Sequence, residues 1–499
     1  MKFFSKMHGR AFCLLAAITM AIGAAPAQSA PAKAHGGVAQ ETLGQKLRRL
    51  QRDAAKSNPL INPPLTLPAA WAPATAYQQG TIVSAGKSLY ICHLPGTSAT
   101  AGGGPSDTGA GPISDGSVTW YYYGPAIPNP SAAAPAISNA LSTPPGLTNA
   151  YTIPANAASF AFSGGAPYLK YPNLYCFAAA TSVPSRGQCS ATQSNNEASI
   201  TFLTDAPKIA IGQYTSLPSR IIIDGRYLTL SGLRASVGAN PSYYVLDFPA
   251  AGGRKTRQIT LENEFNTTFW GVRVDPESKV WAPDAANHVR VIAIGDSITG
   301  GGDGFPDLPG DDWPSLVAKR LGWSEVWNSA LGGTGYIAQA PGNAFPNFGQ
   351  RIQDVCQNSP DVVIVFGGIN DGVSSTPDQI QAAALAYFRA VRACLPTAPI
   401  IVLGAWPGST GPAPARIAVE NAIHAAVTQF KDPLAYFVPI ATDPAGSWIT
   451  GTGNVASPAG TGNADKFIDP KRTHPTDAGI RYLADRIATA VGNIIQQLP

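Results

Sequence analysis

The fold of this chain is decided by the stretch Val289-Arg290-Val291-Ile292-Ala293-Ile294-Gly295-Asp296-Ser297-Ile298-Thr299-Gly300. Its apolar run predicts a buried strand of a parallel sheet, and the run stops at Gly-Asp-Ser. Ligands of open α/β sheets bind beyond the carboxyl ends of the strands, which is where Ser297 falls. A serine hydroxyl on a tight turn at that edge is a candidate nucleophile. By itself, Gly-Asp-Ser is equally compatible with a strand followed by an ordinary polar turn.

Strands and helices alternate from about residue 286 to the end of the chain. Further strands are predicted at residues 325–328, 361–367, 399–404 and 434–440, and helices at 312–321, about 348–356, 378–394, 415–430 and 476–495. Five βα repeats predict a three-layer α/β/α sandwich with a mostly parallel, flavodoxin-like sheet of five strands.

Three histidines fall in this region, and only one of them is suitably placed to serve as a base. A serine nucleophile needs a base within hydrogen-bond reach. His288 opens the first strand at the wrong edge of the sheet, and His424 lies in an amphipathic helix, where a solvated or packing role is expected. His474 precedes Pro475 in the loop before the last helix, at the same edge as Ser297. By elimination, His474 is the candidate general base.

Two glycine-rich segments at strand ends offer hydrogen-bond donors. Asn328-Ser329-Ala330-Leu331-Gly332-Gly333-Thr334-Gly335 follows the second strand, and Gly367-Gly368-Ile369-Asn370-Asp371 follows the third. Gly333 lets the backbone approach a substrate closely, and Asn370 offers an uncharged N–H₂ donor. Each segment has a plain turn interpretation, but together and in this order they predict an oxyanion hole.

These segments resemble the four blocks of the GDSL/SGNH hydrolase superfamily. The matching motifs are Gly295-Asp296-Ser297, Gly333 in Asn-x-x-x-x-Gly, Gly368-x-Asn370-Asp371 and His474-Pro475, spread over roughly 210 residues. The resemblance implies that Ser297 is the nucleophile and His474 the general base. It also implies an oxyanion hole made by the N–H groups of Ser297 and Gly333 and by the side chain of Asn370. The chain has no Gly-x-Ser-x-Gly elbow, which argues against an α/β-hydrolase.

The third member of a catalytic triad departs from the pattern of this superfamily. The family usually places Asp three residues before the catalytic His, and Lys471 occupies that position here. Asp469 lies five residues before His474, and a longer loop would bring its carboxylate to the imidazole. Otherwise the site is a Ser–His dyad in which a backbone carbonyl or another group orients the ring.

The composition and the first residues are typical of an exported protein. Hydrophobic residues make up 44% of the chain and charged residues only 13%, whereas Gly and Pro number 51 and 45, a balance that suits a secreted, loop-rich and β-rich protein. The formal charge of +4 gives no support for a nucleic-acid partner. Residues 1–30 predict a signal peptide whose apolar run is too short to span a membrane. We therefore expect a soluble protein that is secreted or periplasmic.

The residues between the signal peptide and the α/β domain predict two further folded parts. Residues 31–70 read as a short helix at 41–56 and a Pro-rich linker, 71–124 as a small β module, 125–148 as a second linker and 149–285 as a jelly-roll-like β-sandwich. The sandwich is expected to support the last domain, 286–499, although sugar binding by it is the alternative.

Two tryptophans of the small module are candidate sugar-binding residues. The module resembles small chitin- or cellulose-type carbohydrate-binding modules, in which exposed rings stack on sugars, and Trp71 and Trp120 are the candidates here. The alternative is that these two rings form the core of a very small domain.

The cysteines predict disulfides in an exported chain. Their proximity suggests the disulfides Cys176–Cys189 and Cys356–Cys394. Cys92 then has no partner. No Cys/His spacing resembles a zinc site, and no metal or other cofactor is expected.

Taken together, the motifs predict a secreted serine esterase that removes O-acyl groups, in the first instance O-acetyl, from a polysaccharide through an acyl-enzyme on Ser297. The arrangement resembles acetylxylan-type carbohydrate esterases that carry an amino-terminal jelly roll. Alternatives within the superfamily are a lipase or arylesterase and a glycan O-acyltransferase. An alternative of another class is a glycan-binding or adhesion protein with an inactive hydrolase domain, against which the intact motif residues argue. The oligomeric state stays open.

Overall fold

The computed structural model describes residues 41–56, 58–127, 134–171, 174–178, 198–214, 218–234, 242–249, 253–263, 268–302, 304–340, 342 and 345–499. The predicted signal peptide lies outside these residues. Thr42–Pro499 belong to one compact unit.

The first described element is the helix α1 (Leu43–Ala54), which begins with a capping box between Thr42 and Gln45. The helix predicted at 41–56 is therefore confirmed. Leu47 and Leu50 are buried in the core of the carboxy-terminal domain, and Arg48 Nη1 donates to the carbonyl of Leu498 at 2.8 Å. The helix is thus packed against that domain and is not part of a free linker, because its apolar stripe needs a partner surface.

The β module, residues 69–125, is built around a five-stranded sheet in the order β1-β3-β4-β7-β6, with β2 and β5 paired beside it. Its strands are β1 (Ala69–Ala70), β2 (Ala76–Tyr77), β3 (Ile82–Ala85), β4 (Ser88–Leu94), β5 (Gly96–Thr97), β6 (Ile113–Asp115) and β7 (Val118–Pro125). Tyr77, Val83, Tyr90 and Trp120 form the centre of its own small core.

The sandwich, residues 136–281, consists of one six-stranded and one seven-stranded antiparallel sheet around a common apolar core, as the alternating sequence pattern predicts. Its strands are β8 (Ala136–Ala140), β9 (Asn149–Thr152), β10 (Ala161–Ser163), β11 (Ala166–Tyr171), β12 (Leu174–Ala178), β13 (Ala198–Thr204), β14 (Lys208–Tyr214), β15 (Ser219–Ile223), β16 (Arg226–Tyr227), β17 (Ser242–Asp247), β18 (Arg257–Asn263), β19 (Thr268–Val274) and β20 (Val280–Trp281). Strand β8 pairs with β17, so the segment predicted as a second linker contributes an edge strand.

The carboxy-terminal domain alternates strands and helices as predicted. Its elements are β21 (Arg290–Gly295), α2 (Ser297–Gly300), α3 (Trp313–Leu321), β22 (Glu325–Ala330), α4 (Gln353–Cys356), β23 (Val362–Phe366), α5 (Pro377–Cys394), β24 (Ile400–Leu403), α6 (Pro414–Phe430), β25 (Ala435–Val438), α7 (Ala464–Phe467) and α8 (Asp477–Gln497). Short 3-10 helices cover Ala157–Ser159, Ala285–Asn287, Asp371–Val373 and Gly408–Thr410.

The five strands of this domain form a wholly parallel sheet in the order β22-β21-β23-β24-β25. Val291 and Ala293 face the core that contains α3 and α8, whereas Ile292 and Ile294 face the core that contains α5 and α6. Because both faces are covered by helices, the strand is a continuous apolar run. The predicted three-layer α/β/α sandwich is confirmed.

The three parts share buried contacts. Leu89 of the β module, Ile222 of the sandwich and Leu308 of the carboxy-terminal domain belong to one apolar core. Between the sandwich and the last domain, Arg220 Nη2 lies 2.6 Å from Asp311 Oδ1, and both side chains are buried. The β module and the sandwich are therefore packed onto the carboxy-terminal domain by both apolar and charged contacts.

The predicted disulfide Cys356–Cys394 is present and joins α4 to α5. Cys92 is a free, buried thiol. Cys189 lies outside the described residues, so Cys176–Cys189 stays a prediction. None of the helices in the described part of the chain is both long enough and apolar enough to cross a bilayer.

Candidate active site

Ser297 is positioned by a sharp turn at the carboxyl end of β21. Asp296 caps the following helix, with its Oδ1 accepting from the backbone N–H of Ile298 at 2.9 Å. A Cβ at position 295 would lie 2.1 Å from Thr299 Oγ1, so only glycine lets the strand turn this closely into α2. The serine therefore sits at the sheet edge where the sequence places it.

His474 reaches Ser297 from the loop before α8. Its Nε2 lies 2.9 Å from Ser297 Oγ, and both residues are only half-buried. A neutral imidazole that accepts the serine proton at Nε2 carries its own proton at Nδ1. The predicted nucleophile and base are thus within hydrogen-bond distance of each other.

The loop that carries His474 is held at its base. Asp469 N donates to His474 O at 2.8 Å, which closes the loop. The buried indole of Trp406 donates from Nε1 to Thr473 O at 2.9 Å. These bonds fix the backbone on both sides of the histidine.

Asp469 lies on the Nδ1 side of the imidazole, but it does not hydrogen-bond the ring directly. Its Oδ2 is 3.9 Å from His474 Nδ1, beyond hydrogen-bond length. Its Oδ1 instead accepts from the backbone N–H groups of Thr473 at 2.9 Å and His474 at 3.0 Å. The carboxylate is completely buried, whereas Lys471, at the position usual for the family's aspartate, is exposed. The role of Asp469 as third triad member stays a prediction.

The predicted oxyanion donors lie on the two neighbouring loops. Gly333, in the loop after β22, has a φ of +75°, which favours glycine. Asn370 Nδ2 donates to Thr334 O at 2.9 Å and to Asp296 Oδ2 at 3.3 Å. The Asn370 amide thus connects the loop of the nucleophile with the loop of Gly333.

Two buried side chains that hold this edge together were not assigned a role from the sequence. The Asp371 carboxylate accepts from the backbone N–H groups of residues 336, 337 and 338 at 2.8–3.0 Å, so it fixes the loop that follows Gly333. Arg351 donates to Gly295 O at 2.8 Å and to Ser329 O at 2.6 Å, which ties the ends of β21 and β22. Asp371 stands in a recognised motif and could have been found there. No sequence motif indicates the role of Arg351.

The carboxyl group of Asp296, next to the candidate nucleophile, has a raised pKa. Burial raises its pKa from 3.8 to about 7, although the hydrogen bond from Ile298 and the nearby His474 both act to lower it. Near neutral pH it is therefore partly protonated.

The remaining histidines of this domain lie away from the serine, as expected. His288 contacts Glu325 at the amino end of the sheet. His424 is exposed on α6, where its ring stacks on Phe437 with centroids 4.4 Å apart.

The two tryptophans proposed for sugar binding occupy different positions. Trp120 is completely buried, so neither face of its ring is available to a sugar. It is a core residue of the module, which was the alternative interpretation. Trp71 is half-buried, and its Nε1 donates to Asp115 Oδ2 at 2.8 Å, the same oxygen that accepts from Trp120 Nε1. A small module has few apolar residues, and its largest ring is used to fill the interior. Sugar binding by Trp71 stays a prediction.

Several solved structures are similar to this chain. A salicylyl-acyltransferase from a tetracycline biosynthetic pathway is 14% identical with a TM-score of 0.50, over 69% of this chain and 97% of that one. A family two carbohydrate esterase from Cellvibrio japonicus is 15% identical with a TM-score of 0.49, over 73% and 100%. An acetyl xylan esterase from Butyrivibrio proteoclasticus is 13% identical with a TM-score of 0.43, over 74% and 100%. No curated protein matches the sequence.

Residues 293–482 match the family described as GDSL-like Lipase/Acylhydrolase. The match spans Ser297, Gly333, Asn370 and His474, and the resemblance seen in the sequence is confirmed. Residues 293–482 are therefore a domain of the GDSL-like Lipase/Acylhydrolase type.

Proposed function

We propose that this protein is a secreted serine esterase that removes O-acyl groups, above all O-acetyl, from a polysaccharide through an acyl-enzyme on Ser297. The observation that carries the proposal is the 2.9 Å contact between Ser297 Oγ and His474 Nε2 at the carboxyl edge of the sheet. Gly333 and Asn370 lie on the two loops that border this contact, where they support the assignment of an oxyanion hole.

In the first half of the proposed reaction, Ser297 Oγ attacks the ester carbonyl while His474 Nε2 takes the hydroxyl proton. The carbonyl oxygen gains the negative charge, and the N–H groups of Ser297 and Gly333 and the Asn370 amide stabilise it. The protonated His474 then donates to the departing sugar oxygen, which leaves the acyl group on Ser297.

In the second half, water takes the place of the sugar. His474 accepts a proton from this water as the water attacks the acyl carbonyl, and it returns the proton to Ser297 Oγ as the C–O bond breaks. The products are the free carboxylic acid and the deacylated sugar hydroxyl. The buried Asp469 carboxylate, 3.9 Å from Nδ1, favours the imidazolium that forms in both halves.

A cavity beside the catalytic loop supports a sugar substrate. It measures about 450 Å³ and lies between the β module and the hydrolase domain, lined by Tyr121 and Tyr122 from the module and by Lys466, Phe467 and Thr476 from the domain, among others. Aromatic rings with a few polar groups form the type of lining that sugars prefer, and Thr476 is only two residues from His474. The proposed polysaccharide would contact both parts of the protein here.

An ester-substrate panel run beside Ser297→Ala tests the proposal. We expect the wild type to hydrolyse p-nitrophenyl acetate and to release acetate from acetylated xylan, glucomannan or a chitin-like glycan, and the variant to do neither. Activity confined to long-chain esters would contradict the glycan substrate. Firm glycan binding by a wild type without any esterase activity would favour a display protein, and acyl transfer to a second glycan in preference to water would indicate an acyltransferase.

A further inference from the structure

The β module contacts a short segment of the hydrolase domain, residues 304–307, which follows the nucleophile. Gln79 Nε2 donates to Asp307 Oδ1 at 2.8 Å, and His93 Nδ1 lies 2.9 Å from the same oxygen. The His93 ring also stacks on Phe305, with centroids 4.3 Å apart and planes inclined by 12°. One module histidine thus contacts this segment by both a polar and an aromatic interaction.

These contacts are shielded from water. The Asp307 side chain is completely buried, and that of His93 is 13% exposed. Burial lowers the pKa of His93, so its ring is neutral near pH 7. A carboxylate can only accept, which assigns the proton of His93 to Nδ1. In such surroundings a hydrogen bond to a carboxylate is stronger than it is at an exposed surface.

The same segment is linked to His474 through Gly302. Phe305 N donates to Gly302 O at 3.1 Å, and a Cβ on Gly302 would lie 2.7 Å from Cδ2 of His474, so its backbone rests directly on the imidazole. Asp307 N donates to Oδ1 of Asp477, the first residue of α8, at 3.1 Å. The segment is therefore joined to the His474 ring through Gly302, and through Asp307 it contacts the helix that begins three residues after His474.

From these contacts we propose that His93 of the β module is a positioning residue for the catalytic centre. It holds residues 304–307, and through Gly302 and Asp477 it holds the imidazole of His474 against Ser297. This inference rests on the proposed function and assigns the module a part in it other than sugar binding. Displacement of a catalytic group by about 1 Å is enough to lower a rate on the order of 100-fold.

The test compares His93→Ala with His424→Ala in the full-length protein. Both variants remove a histidine stacked on a phenylalanine, but only His93 contacts the segment beside the active site. With p-nitrophenyl acetate, which is too small to report polymer binding, we expect His93→Ala to lower kcat about 10- to 100-fold with KM unchanged within about twofold. The rate at which a fluorophosphonate labels Ser297 should fall in parallel. His424→Ala should keep wild-type values.

A third variant separates positioning from folding. His93→Phe fills the same space and can stack on Phe305, but it gives no donor to Asp307, so we expect a smaller fall in kcat and a smaller fall in melting temperature than in His93→Ala. If His93→Ala does not fold, His93→Phe decides the question. A folded variant with wild-type kcat and labelling rate would overturn the inference alone, whereas a wild type that neither hydrolyses an ester nor reacts with the fluorophosphonate would overturn the proposed function with it.

Discussion

At the scale of single residues, the least usual feature of the site is the way its histidine is oriented. Asp469 is buried beside the ring, but its closest carboxylate oxygen is 3.9 Å from Nδ1, and its other oxygen holds the backbone of the loop. We propose that the carboxylate acts on His474 by its charge and through the loop backbone.

Replacement of Asp469 by Asn removes this charge and keeps an oxygen for the backbone N–H groups. We expect kcat for p-nitrophenyl acetate to fall about 10- to 100-fold, less than the roughly 10⁴-fold loss seen when a directly bonded triad aspartate is replaced. Asp469→Ala, which also removes the backbone contacts, should lose more activity. An Asp469→Asn variant with wild-type kcat would show that the charge has no catalytic role.

The raised pKa of Asp296 predicts that the free energy of unfolding of this protein depends on pH. Its folded-state pKa of about 7 exceeds the ordinary value of 3.8, so the folded protein retains a proton that the unfolded chain releases. The stabilisation from this proton is fully present below about pH 4 and is lost as pH rises through about 7.

Asp296→Asn stays neutral and is an equally good helix cap. We therefore expect its free energy of unfolding to increase relative to the wild type between pH 5 and pH 8, by on the order of 2–4 kcal/mol, in urea titrations. A difference between the two proteins that is constant over this range would contradict the raised pKa.

The contact between Ser297 and His474 can be predicted from the sequence better than the contacts that support it. Ser297 and His474 are expected to meet because the loops at the carboxyl ends of parallel strands lie at one edge of the sheet. The separation of Asp469 from the ring depends on the local path of the loop, which includes a positive φ at Arg472, and residue spacing does not specify that path. The position of His93 depends on how the β module docks, and no local pattern encodes that.

At the scale of secondary-structure elements, α1 shows how a helix can be predicted while its role is mistaken. Thr42 and Gln45 form a capping box that is readable in sequence, but the surface that covers Leu47 is made by elements far along the chain. Strand β8 is similar, because it has no strong alternating pattern and is defined by its pairing with β17. Tertiary contacts decide both cases.

The packing of α1 can be tested with a pair of substitutions on the same helix. Leu47 is completely buried, so Leu47→Ala should lower the free energy of unfolding by about 2–5 kcal/mol. Arg52 is exposed on the same helix, and Arg52→Ala should change it by less than about 0.5 kcal/mol. Equal stability of the two variants in urea would mean that the helix is only a linker.

At the scale of the whole molecule, the β module, the sandwich and the hydrolase domain share one apolar core, so the module is fixed relative to the active site. This arrangement places Tyr122 of the module in the lining of the cavity next to the catalytic loop. We propose that a sugar chain that enters this cavity contacts both the β module and the hydrolase domain.

Tyr122→Ala removes an aromatic ring from this cavity. We expect KM for an acetylated polysaccharide to rise about two- to tenfold, the equivalent of a lost contact of about 0.5–1.5 kcal/mol, with kinetics on p-nitrophenyl acetate unchanged. Tyr122→Phe keeps the ring and should retain most of the affinity. If Tyr122→Ala has an unchanged KM for the polysaccharide, the substrate does not bind in this cavity.

We propose that Ser297, activated by His474, is the nucleophile of an esterase. The most direct measurement is the intact mass of the protein after treatment with a fluorophosphonate, followed by peptide mapping. We expect one adduct per chain, located on Ser297, with loss of esterase activity in proportion to labelling and little labelling in His474→Ala. Esterase activity that survives in Ser297→Ala, or an adduct on another residue that accounts for the inactivation, would show that Ser297 is not the nucleophile.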